Sequence, residues 1–135
     1  MGDLSLHFSK PEFACRCKKC GLDGSGMDRE VIAILELIRA HFSHIAPGQQ
    51  AIIGVNSGHR CPEHNKNEGG SPTSQHLLGK AADIVVAQKD HKGAWIRVPP
   101  LYVVAYLDQI FPYSYGIGTY ETFTHIDTRN ERARW

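Results

Sequence analysis

The string Ala81-Ala82-Asp83-Ile84-Val85-Val86 constrains this chain more than any other part of it. Its β-branched run reads as a buried strand over residues 81–87, yet a carboxylate stands at the head of that strand. An ionised carboxylate is costly to bury unless it is paired or bound to a cation. Any fold of this chain must therefore bring partners to Asp83. Just before it, Ser74-Gln75-His76-Leu77-Leu78-Gly79-Lys80 places a histidine on a loop, and the small residues Gly79, Ala81 and Ala82 allow a sharp turn and close packing.

The rest of the chain supplies the scaffold. Asp28 stands where a helix N-cap belongs, and Val31, Ile34, Leu35, Ile38, Phe42 and Ile45 follow helical spacing until Pro47-Gly48 stops them. Residues 51–56 read as a second buried strand. The polar segment 57–80 and the segment 88–98 read as loops, the first long enough to be functional. Pro100 opens a second helix with Leu101, Val104, Ala105, Leu107, Ile110 and Phe111 as its apolar stripe, and Pro112 ends it. Residues 115–120 and 123–128 form a closing hairpin. The order α, β, β, α, β, β does not alternate regularly. The expectation is an α+β fold, a small and mostly antiparallel sheet packed against helices. At 135 residues the chain fits one domain, with a Cys-containing N-terminal arm over 1–27 and a core over 28–135. Such a chain buries roughly 70% of its unfolded surface and can fold without a staple.

Fifteen Lys+Arg against 14 Asp+Glu leave a net charge of +1, which argues against a dedicated nucleic-acid binder. The first residues lack a basic segment followed by an apolar run, so no secretory signal is read. The apolar stretches near 31–38 and 101–110 are too short to insert in a membrane. The expectation is a soluble monomer made in the cytoplasm.

Three of the 4 cysteines fall within Cys15-Arg16-Cys17-Lys18-Lys19-Cys20, and the fourth is Cys61. In a reducing compartment such clustering favours a metal over a disulfide, although C-x-C-x-x-C is not the paired C-x-x-C knuckle. A structural zinc on Cys15, Cys17 and Cys20, completed by Cys61 or a nearby His, stands beside free thiols or one disulfide.

The 8 histidines raise the prior for metal or proton chemistry. His125-Ile126-Asp127 lies on the last strand, where a period of two puts Glu121, Phe123, His125 and Asp127 on one face if the strand begins early. His76, Asp83 and His125 make a neutral-nitrogen, anionic-oxygen set that suits zinc with one position open for water. Spacing alone does not separate this from three unrelated polar residues, since 8 histidines offer several such triples.

Taken together, Ser57-Gly58-His59-Arg60, Asn65, Gly69-Gly70, the S-x-H-x-x-G-x-A-x-D string and His125-x-Asp127 resemble one family. It is the zinc D-Ala-D-Ala carboxypeptidase family, which includes phage L-alanyl-D-glutamate endopeptidases and is related in fold to Hedgehog amino-terminal domains. The opening Phe8-Ser9-Lys10-Pro11-Glu12-Phe13-Ala14-Cys15 is similar to short phage and prophage members. The resemblance implies that His76, Asp83 and His125 bind zinc and that Arg60 lies beside the site. There its planar, permanent charge suits a peptide carboxylate or an oxyanion. Ser74 either caps its turn or touches substrate. Where many members carry an acid three positions before the last His ligand, this chain has Thr122. That leaves Glu121 as general base and Asp127 as the residue orienting a ligand, with Asp127 the alternative base.

The implied activity is zinc-dependent hydrolysis of an amide in peptidoglycan stem peptides, by a carboxypeptidase or an endolysin-like endopeptidase that meets the cell wall after release or virion delivery. A non-catalytic zinc module for wall binding or virion assembly is the alternative. His41 and His44 read as solvent-side residues near a helix C-terminus. His59 reads as packing. His91, Trp95, Tyr113, Tyr115 and Tyr120 line a groove or pack. Arg129, Arg132, Arg134 and Trp135 read as a solvated basic tail.

Overall fold

The computed structural model describes residues 2–44 and 50–135. The expected helix end at Ile45 and Pro47-Gly48 lies outside the described residues. Helix α1 runs Arg29–His44. Asp28 caps it, its Oδ1 accepting from the Glu30 N–H at 3.1 Å and its Oδ2 from the Thr128 hydroxyl at 2.6 Å. The helix buries Val31, Ile34, Leu35, Ile38 and Phe42, the spacing its sequence predicts, together with Ile32. Each such side chain contributes roughly 1.5–3 kcal/mol of gross hydrophobic stabilisation.

The strands are β1 (Ala51–Ser57), β2 (Ala81–Lys89), β3 (Trp95–Arg97), β4 (Gly116–Thr119), β5 (Thr124–Asp127) and β6 (Ala133–Arg134). They form one sheet in the order β1-β2-β5-β4-β6, with β3 also pairing β2. Every pairing is antiparallel except β4 with β6. The fold is thus α+β with a mostly antiparallel sheet. Helix α1 packs against β1 and β2, and α3 (Pro100–Ile110) packs against β4, β5, β2 and α1. Ala82, Ile84, Ile117 and Ile126 join the apolar core under these helices. Side chains alternate along a strand, so Asp83 and His125 turn to the other face. From the N-terminal arm, Phe8 and Phe13 enter the same core. Among the described residues no helix is long and apolar enough to cross a membrane.

Four local expectations are corrected. The segment 57–80 contains helix α2 (Pro62–Asn67) and a 3-10 turn, Gln75–Leu78. Helix α2 has no apolar stripe to betray it; it starts because Pro62 is preset for the first helical position and the Cys61 sulfur accepts from the His64 N–H. The segment 88–98 holds β3, an exposed strand that leans on the end of β2. In α3 the buried residues are Val103 and Leu107, whereas Leu101, Ala105 and Ile110 face outward. The basic tail is not free: β6 pairs with β4, and Arg134 bonds Asp108 and the carbonyls of Phe111, Ser114 and Tyr115.

Candidate metal centre

One row of cross-strand neighbours builds the site. Ser57 on β1 faces Asp83 on β2, Asp83 faces His125 on β5, and His125 faces Gly118 on β4. A register irregularity between Val55 and Ser57 puts Ser57 into that row. His76 comes from the 3-10 turn ahead of β2. Ser74 caps that turn, its hydroxyl accepting from the His76 N–H at 3.2 Å, and Gly79 closes it in the left-handed region at φ 71°. A side chain at Gly79 would be strained there.

The tautomers follow from the partners. His76 Nδ1 lies 2.7 Å from the Gly58 carbonyl, which can only accept. Nδ1 therefore carries the proton, and the Nε2 lone pair is left. Nε2 is buried and has no hydrogen-bond partner, although Asp83 Oδ2 is only 3.2 Å away. Two acceptors face each other across that gap. On the other ring, His125 Nε2 meets Asp127 Oδ2 at 2.7 Å and Nδ1 meets Asp83 Oδ1 at 2.8 Å. Once Nε2 donates to Asp127, the Nδ1 lone pair also faces Asp83, an arrangement satisfied by a second ring proton or by a metal ion.

The fit to zinc rests on this donor set: two imidazole lone pairs and a carboxylate, with ligand atoms all within 4.8 Å of one another. Three protein ligands with a further position open is the catalytic rather than the closed structural pattern. Burial opposes ionisation of Asp83, but the imidazoles of His125 and His76 beside it hold its carboxyl well below the usual carboxylate range. Asp127, also penalised by burial, is held down by Arg129 and His125.

The charged neighbours divide into two kinds. Arg60 is committed on three sides: Nε to Ser57 Oγ at 2.8 Å, one terminal nitrogen to Asn65 Oδ1 at 3.2 Å, the other to Asp83 Oδ2 at 3.2 Å. It orients the ligand carboxylate and also lines the cleft. Asp127 is completely buried behind His125 and receives two bonds from the Arg129 guanidinium, at 2.8 and 2.7 Å. Gly116 leaves the space these two groups fill.

The cleft over the row has a volume of about 460 Å³. Its lining includes His76, Asp83, His125, Arg60 and Ser74, as the sequence reading places them, and also Glu68, Tyr120, Phe123, Arg129 and Trp135. Trp135 sits over Gly118, donates to the Tyr120 hydroxyl at 2.8 Å and lies 5.1 Å from the His125 ring.

Glu121 is not brought to the cleft. Strand β5 begins at Thr124, so Glu121 and Thr122 fall in an exposed bend, and the face that Glu121 was expected to share with His125 does not extend to it. Asp127 does share that face, but its oxygens are taken by His125 and Arg129. Sequence reasoning missed Arg129 and Trp135 by assigning them to a tail. Continuing the period of two from His125 through Asp127 reaches Arg129, which was the available signal. His59 bonds the Leu77 carbonyl from within the packed loop.

The family model described as Peptidase M15 matches residues 6–127. A search of curated proteins finds no match.

Proposed function

Since this chain belongs to the peptidase M15 family, whose members are zinc-dependent peptidases, we propose that it hydrolyses an amide bond in the stem peptides of bacterial peptidoglycan. One observation carries the reading. The buried, unpartnered His76 Nε2 converges with Asp83 and His125 at the floor of a cleft edged by two arginines.

Zinc held by His76 Nε2, Asp83 and His125 Nδ1 would supply Lewis acidity, lowering the pKa of water towards ~7 and polarising a carbonyl. The other tasks fall to the chain. Arg60 fixes the Asp83 carboxylate, and Asp127 fixes the His125 ring through Nε2, as partners behind metal ligands do. Arg60 and Arg129 give the cleft a positive rim suited to the free carboxylates of stem peptides. Tyr120, Phe123 and Trp135 form an apolar wall. Outside the ligand set, Glu68 is the carboxylate that lines the cleft, and we assign it the proton-accepting role. In this reading the protein is made in the cytoplasm and acts on the wall after release or virion delivery, as a monomer with neither nucleic acid nor membrane as partner.

A digest of purified sacculi, with zinc and with chelator, tests this by mass spectrometry of the released muropeptides. Zinc-dependent products are expected, and their masses distinguish carboxypeptidase from endopeptidase action. Glu68→Gln should lower turnover by roughly 10²–10⁴-fold with metal content unchanged, and Glu121→Gln should leave turnover near wild type. A non-catalytic zinc module for wall binding or virion assembly is the second reading. It is favoured by the exposure of Glu121 and the full engagement of Asp127. Metal bound with no product from any wall chemotype would establish it over the first.

A further inference from the structure

The second cluster of metal-ligating side chains lies away from the cleft, where the arm meets the loop after β1. Cys15, Cys17, Cys20 and Cys61 are unbridged, and their sulfurs all lie within 4.8 Å of one another. Cys15 Sγ is 3.5 Å from Cys17 and 3.8 Å from Cys61, and Cys61 is 3.8 Å from Cys17. A disulfide needs about 2.05 Å. Four thiolates around one zinc, each about 2.3 Å from it, form a tetrahedron whose edges are about 3.8 Å. Three edges of such a tetrahedron are therefore present, close to its ideal size.

The backbone around the cluster offers donors to its sulfurs. Backbone N–H groups point at three of the sulfurs: Lys19 at Cys17, Cys61 at Cys15, and His64 at Cys61, each at 3.4 Å. Hydrogen bonds to the charged form stabilise it. Lys18 adopts a left-handed φ of 60°, in the turn that lies between Cys17 and Cys20.

We propose that Cys15, Cys17, Cys20 and Cys61 bind a second, structural zinc ion that staples the N-terminal arm to the loop carrying Arg60. The four-sulfur set is closed, with no position for substrate, so its role is architectural. Cys61 follows Arg60 directly in the chain and its sulfur caps α2. Arm and loop are also joined by the His59 N–H to the Phe13 carbonyl at 3.0 Å, and Arg16 ties the arm to β1 through the Val55 carbonyl at 2.9 Å. The ion would thus hold Arg60 over Asp83 from outside the cleft. This inference does not depend on what the cleft hydrolyses.

The test is metal counting on the full chain, purified under reducing, anaerobic conditions. Wild type should carry two zinc ions per chain. His76→Ala, with all four thiols intact, should carry one. Substituted with cobalt, that variant should show the thiolate-to-metal charge transfer and intense visible bands of a tetrahedral four-sulfur site. Cys61→Ser should lose those bands. Should Cys61→Ser fail to fold, the His76→Ala protein still decides. No metal in that protein, or cobalt spectra without sulfur charge transfer, would overturn the proposal. So would an intact mass showing that the native protein carries a disulfide among these cysteines.

Discussion

Asp127 is the residue on which the largest difference between burial and role turns. It is fully buried, yet it touches no cleft surface; its work is to hold one ring nitrogen of His125. Asp127→Asn keeps the shape and removes the charge that fixes the ring. Zinc affinity of the cleft site should fall about 10–100-fold, read by competition with a chromophoric chelator, while unaltered affinity would make Asp127 a packing residue. Gly118 has the opposite character. A Cβ there would lie 2.6 Å from Trp135 Nε1, so Gly118→Ala should swing the indole away and break its bond to Tyr120. The expected result is a changed Trp135 emission and a raised KM with metal content unaltered. Asp83 was legible from sequence because a carboxylate at the head of an apolar strand needs partners. Glu121 falls outside the expected face because β5 starts only at Thr124, and strand boundaries leave only a weak mark in a sequence. Arg129 was missed because a run of arginines resembles a solvated end, and only the pairing of β6 with β4 shows that the chain folds back.

Among the elements, α1 and the arm are joined by Glu36. Its carboxylate accepts from the Ser5 hydroxyl at 2.7 Å and the His7 N–H at 2.9 Å, and pairs with His7 Nδ1 at 2.7 Å. Partial burial works against its ionisation, but the bonds from His7 and Ser5 prevail and lower its pKa. A lowered folded-state pKa adds stability that is full above the ordinary glutamate value and lost as pH falls through the folded one. Glu36→Gln should cost no more than about 1 kcal/mol, lowering Tm by roughly 3–5 °C at neutral pH. The gap from wild type should close on acidification below the ordinary glutamate range. A gap that persists in acid would mean that the amide disrupts packing rather than charge. At this scale the sequence spoke clearly for α1, whose apolar spacing is long and regular. It was silent on α2, a six-residue helix set by Pro62 and a sulfur cap rather than by a buried face.

For the molecule as a whole, the arm is part of the core. Phe13 is completely buried, its backbone packs against Gly58, and its carbonyl receives the His59 N–H. Phe13→Ala should cost about 3–5 kcal/mol in thermal or urea unfolding. The same change should weaken zinc binding at the cleft, since the Gly58 carbonyl that sets the His76 tautomer belongs to the loop under Phe13. Stability loss without any change in metal affinity would separate the arm from the site. The α+β class followed from the irregular order of helices and strands. The strand order did not, because residues 57–80 and 111–115 give no clue to which strand edge each hairpin chooses.

The row that joins Ser57, Asp83, His125 and Gly118 also bears on the order of events during folding. Asp83 and His125 are 42 positions apart and meet only when β5 docks on β2. The chain up to residue 110 contains the sequences of α1, β1, β2 and α3, but only two of the three cleft ligands. Loop closure over that distance precedes the contacts that reward it. Zinc affinity at the cleft is therefore a late property of folding. The docking of β5 on β2 is what turns an inert polypeptide into one able to hold its ion.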